Sequence, residues 1–383
     1  MAIRISDQFD AGAIEVVRAD DPQAIEVNLR KDNQADFMQW FYFRLSGASG
    51  TACTIRFLNA GKATYPDGWE NYQVVASYDR RSWFRVPTDY AGGVMTVRYT
   101  PQHDSIYFAY FEPYSWERHL DLLGKAQSSE HMRVLDLGAT VEGRDMSVIV
   151  AGSPAAAKKI WVIARQHPGE TMAEWFVEGM IDALLDQSNP IACRLLQDAV
   201  FYIVPNMNPD GSVHGNLRTN AAGANLNREW MEPSRETSPE VFFVKNKIHE
   251  TGCDLFLDIH GDEGLPYVFI AGSEMLEGFS EQQAAEQSAF IDQLKLASPD
   301  FQDRFGYASG KYREDMLKLA SKYIGHTFKC ISLTLEMPFK DNAHLPNPSV
   351  GWNGVRSAQL GKAMLQPILH VIANAHEGNT HGR

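Results

Sequence analysis

The chain has 383 residues, 44% hydrophobic and 22% charged, with a formal net charge of −13. That length exceeds one ordinary core and suits two domains. Basic residues are scattered, which disfavours a nucleic-acid partner, and no apolar run approaches the ~18–20 residues needed to cross a bilayer.

The N-terminal stretch MAIRISDQFDAG has no apolar leader core, so no secretory signal is expected. Residues 1–112 then carry short alternating segments, among them FMQWFYFRL (37–45), ACTIRFLNA (52–60), VMTVRYT (94–100) and DSIYFAYFE (104–112). Aromatic and β-branched residues dominate them, and Gly, Asn, Asp and Pro cluster between them. This predicts an all-β antiparallel sandwich.

From 113 to 383 the pattern changes. KIWVIA (159–164) is followed by Met172, Trp175, Phe176, Gly179, Met180 and Leu184 on one helical face. VFYIV (200–204), LFLDI (255–259) and CISLTL (330–335) follow, with helical patterns near 238–250, 280–297 and 311–324. Apolar strands between helices predict an α/β domain with a mostly parallel sheet covered on both faces. Cys53, Cys193, Cys253 and Cys330 are far apart and form no CxxC pair. They read as buried free thiols in a reducing, cytoplasmic compartment.

Open α/β sheets bind ligands at the carboxyl ends of their strands. RQHPGE (165–170) follows the first strand and PNMNPDG (205–211) the second; the third ends in HGDE (260–263) and the fourth in Glu336. His167 and Glu170 are three residues apart and can reach one ion, with His260 arriving from a separate strand. Two imidazoles and a carboxylate leave the fourth tetrahedral position of Zn²⁺ open to a water, whose pKa falls towards ~7. The plainer readings are a helix-start carboxylate for Glu170 and a backbone-bonded strand-end histidine for His260. His249-Glu250 begins an HExxH pattern, but Cys253 stands at the second histidine position. Arg218, Asn227 and Arg228 lie in the glycine-punctuated segment 215–230 and suggest anion recognition, the alternative being surface arginines around a core Trp230.

HPGET (167–171), NPDG (208–211), GNLR (215–218), NLNREW (225–230), DIHGDE (258–263) and TLE (334–336) occur in the order seen in zinc metallocarboxypeptidases. The chain most resembles their cytosolic carboxypeptidase branch, because QWFYFR (39–44) and IYFAY (106–110) leading into PYS (113–115) are similar to that branch's N-terminal β-domain. GATVEGR (138–144) resembles the opening strand of the catalytic domain. The resemblance implies a mixed, largely parallel eight-stranded sheet and one Zn²⁺ per chain, held by His167, Glu170 and His260. It implies Glu336 as general base, Arg218 as the group polarising the scissile carbonyl, and Asn227 with Arg228 as the clamp on the substrate's terminal carboxylate. The substrate would be the C-terminus of a peptide or protein tail, with acidic C-terminal residues suggested by the branch.

Two features depart from the pattern or leave it open. The family places Asp two residues before the Asn-Arg pair to orient a ligating histidine; here that residue is Asn225. Relatives close a loop tyrosine over the substrate, for which Tyr307 leads and Tyr312 follows. Lys311, Arg313 and Arg304 are candidate basic groups for an acidic side chain. A zinc-dependent amidase or deacylase of small acylated amino acids stays open as an alternative, as does a binding module that has kept the fold. The Asn227–Arg228 pair favours a peptidase over the former, and the intact ligand set with Glu336 favours an enzyme over the latter. The N-terminal β-domain could shape access, dock a partner or act as a buttress.

Overall fold

A computed structural model describes residues 3–308 and 315–377. In the first part the alternating segments become β1 (Arg4–Ser6), β2 (Glu15–Arg18), β3 (Ile25–Asn28), β4 (Tyr42–Ser46), β5 (Cys53–Phe57), β6 (Val75–Ser77), β7 (Phe84–Arg85), β8 (Thr88–Ala91), β9 (Val94–Tyr99) and β10 (Ser105–Ala109). They form two five-stranded sheets, ordered β1-β4-β10-β6-β7 and β2-β3-β5-β9-β8. All pairs are antiparallel except β3 with β5. Alternation sends every second side chain inward, and the inner faces meet where Phe43 of β4 packs on Phe57 of β5, ring centroids 6.2 Å apart. The run FMQWFYFRL becomes strand only at Tyr42. Ahead of it the buried Gln39 uses its side chain instead, accepting from Tyr65 N at 2.8 Å and donating to Tyr65 O at 3.1 Å.

The second part contains α1 (Trp116–Gln127), β11 (Met132–Ala139), β12 (Asp145–Ala151), β13 (Lys158–Ala164), α2 (Met172–Leu185), α3 (Pro190–Asp198), β14 (Ala199–Val204), α4 (Pro209–His214), α5 (Pro239–Thr251), β15 (Leu255–Asp262), β16 (Phe269–Ala271), α6 (Glu281–Ala297), α7 (Ala320–Phe328), β17 (Ile331–Pro338), α8 (Gly354–Ala363) and α9 (Leu365–Glu377). Its sheet runs β11-β12-β14-β13-β15-β17-β16. The central four strands are parallel, and β11, β12 and β16 join antiparallel. Seven strands are present among the described residues, one fewer than the eight implied by resemblance. GATVEGR lies mostly outside a strand. It turns the β11–β12 hairpin, closed by Thr140 N donating to Arg144 O at 2.8 Å with Gly143 at φ 86°. Of the helix expected over 311–324, residues 311–314 lie outside the described residues, Met316–Lys318 form a 3₁₀ turn, and α7 starts at Ala320 because Leu319 is extended.

The near-continuous apolar strands are explained by two covered faces. Ile160, Val162 and Ala164 of β13 point into the core shared with α2, α8 and α9, whereas Trp161 and Ile163 point to the core under α5 and α7. The first of these cores continues into the β-sandwich, and Tyr110 stacks on Phe339 across the join at 4.4 Å. Cys53, Cys253 and Cys330 are buried free thiols; Cys193, on α3, is only partly buried.

Helix α2 begins two residues after Glu170 and is held against α8 by glycines. A Cβ at Gly361 would lie 1.9 Å from Phe176 O, and one at Gly179 would lie 1.9 Å from Ala358 O. An added methyl gains at most ~1 kcal/mol in helix propensity, while overpacking costs ~1–3 kcal/mol. Gly361→Ala is therefore expected to lower the denaturant midpoint. Gly124→Ala, at an exposed helical site with nothing within 4 Å of the new Cβ, is expected to raise it. Equal shifts for the two would show that the α2–α8 contact is not close-packed.

Candidate metal centre and active site

Strand β13 has β14 on one side and β15 on the other, so the chain reverses its direction of travel across the sheet there. Such a switch point opens a crevice at the carboxyl ends of the strands. The chain leaves β13 through Arg165, a buried non-glycine residue at φ 58°. Its guanidinium donates to Glu174 Oε2 at 2.7 Å, Pro168 O at 3.0 Å and Tyr114 O at 3.0 Å. Glu174 also meets His119 Nδ1 at 2.6 Å. These contacts offset the ~1–2 kcal/mol that a left-handed residue costs and hold the turn that carries His167 and Glu170. Glu170 lies in this turn, two residues ahead of α2, rather than in the first helical turn.

His260, near the end of β15, is the Cα partner of Glu336 on β17. His167, Glu170 and His260 are buried, and each offers one ligand atom, all within 4.8 Å of one another. Among the described residues this is the one His/Cys/Asp/Glu group that close. His167 Nδ1 faces Glu170 Oε1 at 2.7 Å, and His260 Nδ1 faces Glu170 Oε2 at 2.8 Å. On the far side of each ring, His167 Nε2 meets Asn225 Oδ1 at 3.1 Å and His260 Nε2 meets Asp258 Oδ1 at 2.8 Å.

Each ring thus meets an acceptor oxygen at both nitrogens, but a neutral imidazole has a single N–H. Outward N–H groups leave two lone pairs aimed at a carboxylate, an arrangement that a cation at the centre completes. The donor set fits Zn²⁺. Burial, helped by the Arg218 guanidinium, lowers His167 to about 3 and keeps it neutral. Burial opposes charge on His260 too, but Asp258 and Glu170 outweigh it and draw that pKa up. Burial would raise Glu170, yet the two histidines hold it below the usual carboxylate range.

A cavity of about 370 Å³ opens over these groups and is also lined by Arg218, Asn227, Arg228, Tyr307 and Glu336. Tyr307 Oη lies 2.8 Å from both Glu336 Oε1 and Asp262 Oδ2 and donates its one O–H between them. Glu336 Oε2 is buried without a hydrogen-bond partner among the described residues. Burial pushes Glu336 up to about 8 against the pull of His260. Asn227 is fixed by Ala320 N, which donates to its Oδ1 at 2.8 Å.

All seven residues singled out from the sequence therefore border one cavity, and so does Tyr307. Tyr312, Lys311 and Arg313 lie outside the described residues. Arg304 lines a neighbouring cavity instead. The polar end of β14 braces the site without entering it: Asn208 Nδ2 donates to Gln166 O at 3.0 Å, and Asp210 accepts from Thr140 and Arg144.

Four features were missed. Asp258 lies two residues before His260 on one strand, so both side chains share a face; that spacing was a usable signal. Gln166 donates to both Asp258 oxygens at 2.9 Å and accepts from Trp230 Nε1 at 2.9 Å. Lys322 of α7 and the loop 64–68 of the first part also line the cavity, and no local pattern announces either.

Residues 5–111 match the cytosolic carboxypeptidase N-terminal domain, and residues 117–350 match the zinc carboxypeptidase domain. A metallo-carboxypeptidase from Burkholderia cenocepacia is 61% identical, with a TM-score of 0.96 over 97% of this chain and 100% of that one. A metallo-carboxypeptidase from Pseudomonas aeruginosa, solved in complex with (2-guanidinoethylmercapto)succinic acid, is 44% identical, with a TM-score of 0.93 over 97% and 99%. Human cytosolic carboxypeptidase 6 is 28% identical over 88% of this chain and 74% of its own length. This chain belongs to the zinc carboxypeptidase family and carries the N-terminal domain of its cytosolic branch.

Proposed function

We propose that the chain removes C-terminal residues from peptides or protein tails, using one zinc ion held by His167, Glu170 and His260. The observation that carries this reading is the buried carboxylate flanked by two imidazole Nδ1 atoms, with Glu336 beside His260 in register. Zinc, when bound, supplies Lewis-acid polarisation and acidifies a water.

The chain's own residues supply the rest. Glu336, which would be ionised once a dication offsets the burial that raises it, takes the proton from the attacking water on a carboxylate oxygen and delivers it to the leaving amine. Its unpartnered Oε2 suits that role. Arg218 polarises the scissile carbonyl and stabilises the developing oxyanion. Asn227 and Arg228 bind the free terminal carboxylate, which sets the last peptide bond over the reactive groups. Tyr307, hydrogen-bonded to Glu336, orients the base.

An acidic C-terminal residue is the preferred substrate. Lys322 borders the cavity, donates to Gly272 O, and is lowered by burial to about 8, so its ammonium is still mostly charged at neutral pH. A desolvated ammonium rewards a carboxylate more than an apolar side chain. The division between an N-terminal unit, 1–112, and a catalytic unit, 113–383, completes the proposal, with a cytoplasmic location suited to four free thiols.

Three experiments test this. Glu336→Gln is expected to keep stoichiometric zinc and lose at least ~10²-fold in kcat; unchanged turnover would remove the base assignment. Asn225→Asp gives His167 a charged partner, as Asp258 already gives His260. It should tighten zinc about tenfold or more in chelator competition, and no gain would mean that Asn225 does not tune the site. A peptide panel varied at its last residue, free or amidated and including basic ends, should show Arg228→Ala penalising only free carboxylates. In the same panel Lys322→Met should cost about tenfold or more on glutamate ends alone. Uniform losses would favour the deacylase reading for the first variant and a different side-chain pocket for the second.

A further inference from the structure

Arg218 sits in an irregular segment, so regular secondary structure does not fix its position. Its backbone is held from the other part of the molecule. Asp32, buried in a turn after β3, accepts from Leu217 N at 2.6 Å, Arg218 N at 2.8 Å, Thr219 N at 2.9 Å and Thr219 Oγ1 at 3.0 Å. Asp32 is 6% exposed, so its carboxylate loses nearly all contact with water and draws its compensation from these donors.

Neighbouring residues run along the same segment. Asn33 N donates to Asn216 Oδ1 at 3.1 Å, Asn33 Nδ2 donates to Ala221 O at 3.0 Å, and Arg30 donates to His214 O at 2.6 Å. The first part also encloses the arginine's side chain. The guanidinium lies 5.9 Å from the Phe37 ring centroid and 5.4 Å from that of Tyr65. The backbone of Tyr65 is clamped in turn by Gln39.

We propose that Asp32 is a positioning residue for catalysis: through three consecutive backbone N–H groups it sets where Arg218 presents its guanidinium, so the N-terminal β-unit is a working part of the active site. This rests on the role given to Arg218 above. A carboxylate that collects three successive N–H groups fixes both the place and the orientation of the central residue. A misplacement of ~1 Å in a group that stabilises a transition state can cost ~10²-fold. The effect falls on kcat, because the terminal carboxylate is held separately by Asn227 and Arg228.

The test is a double-mutant cycle on the full-length zinc-loaded enzyme, with an N-blocked dipeptide ending in glutamate as probe. It is read beside amide hydrogen exchange of the 215–222 segment. Asp32→Asn keeps the shape but puts an NH₂ group where an oxygen accepted. It is expected to lower kcat ten- to a hundredfold with KM within about twofold, to deprotect the amides of 217–219, and to leave zinc content unchanged. In an Arg218→Ala background the same substitution should change kcat by less than about twofold. Equal loss in both backgrounds would reduce Asp32 to a structural anchor and overturn the proposal, as would unprotected 217–219 amides in the wild type.

If Arg218→Ala alone leaves turnover intact, the role of Arg218 falls, and the proposal with it; that outcome differs from a failure of Asp32 in an otherwise arginine-dependent enzyme. Should Asp32→Asn not fold, Thr219→Val removes one donor from the same carboxylate. It should give a smaller loss, about two- to fivefold in kcat, that likewise vanishes in the Arg218→Ala background. A Thr219→Val loss that persists there overturns the proposal.

Discussion

Glu170 is a carboxylate buried between two imidazoles at the carboxyl end of a parallel sheet, and the cost of burying that charge organises what surrounds it. An isolated buried ion is worth several kcal/mol of instability. Here polarity alternates outward from it, through His167 to Asn225 on one side and through His260 to Asp258 and Gln166 on the other. Trp230, fixed in the core under α5, ends that second chain by donating to Gln166. Asp262 and Glu336 add two more carboxyl groups at the cavity. A dication at the centre would offset their charge together with the guanidinium of Arg218 and would favour ionised Glu336, so metal affinity and fold stability would be linked in this site.

The two flanking contacts are unequal. Asp258 gives His260 a charged partner, while Asn225 gives His167 a neutral one. Asp258 helps draw His260 upward, whereas burial and Arg218 hold His167 low. With one charged and one neutral outer partner, the ligand set would hold a zinc ion less tightly than a symmetric one.

The local parts of this site are readable in the sequence. His167 and Glu170 share one turn, and His260 and Glu336 close adjacent apolar strands, so a strand-end argument finds all four. Contacts between distant segments leave no comparable trace. Asp32 reaches Arg218 across 186 positions, and nothing near either residue announces it. Lys322 lies on an amphipathic helix as any lysine would. The fold follows the same division. The parallel core and the sandwich follow from periodicity, whereas the segment before Tyr42 escapes its strand-like pattern because the Gln39 side chain bonds Tyr65. α7 begins only at Ala320, because the extended Leu319 separates it from the 3₁₀ turn at Met316–Lys318.

On the proposed preference for acidic tails, a chain of net charge −13 would repel its substrate at long range. At physiological ionic strength that repulsion is screened beyond about 8 Å, so capture depends on positive groups inside the cavity. Arg218, Arg228 and Lys322 border it. All three are at least partly desolvated, where each charge counts for more than it would on the surface. The N-terminal β-unit contributes to the same end. Gly68 packs against Glu263, with an added Cβ falling 3.0 Å from its carbonyl oxygen, and Tyr65 covers Arg218. By closing one wall over these groups, the first part shields the cavity's charges from bulk water across a join between two units that share one hydrophobic core.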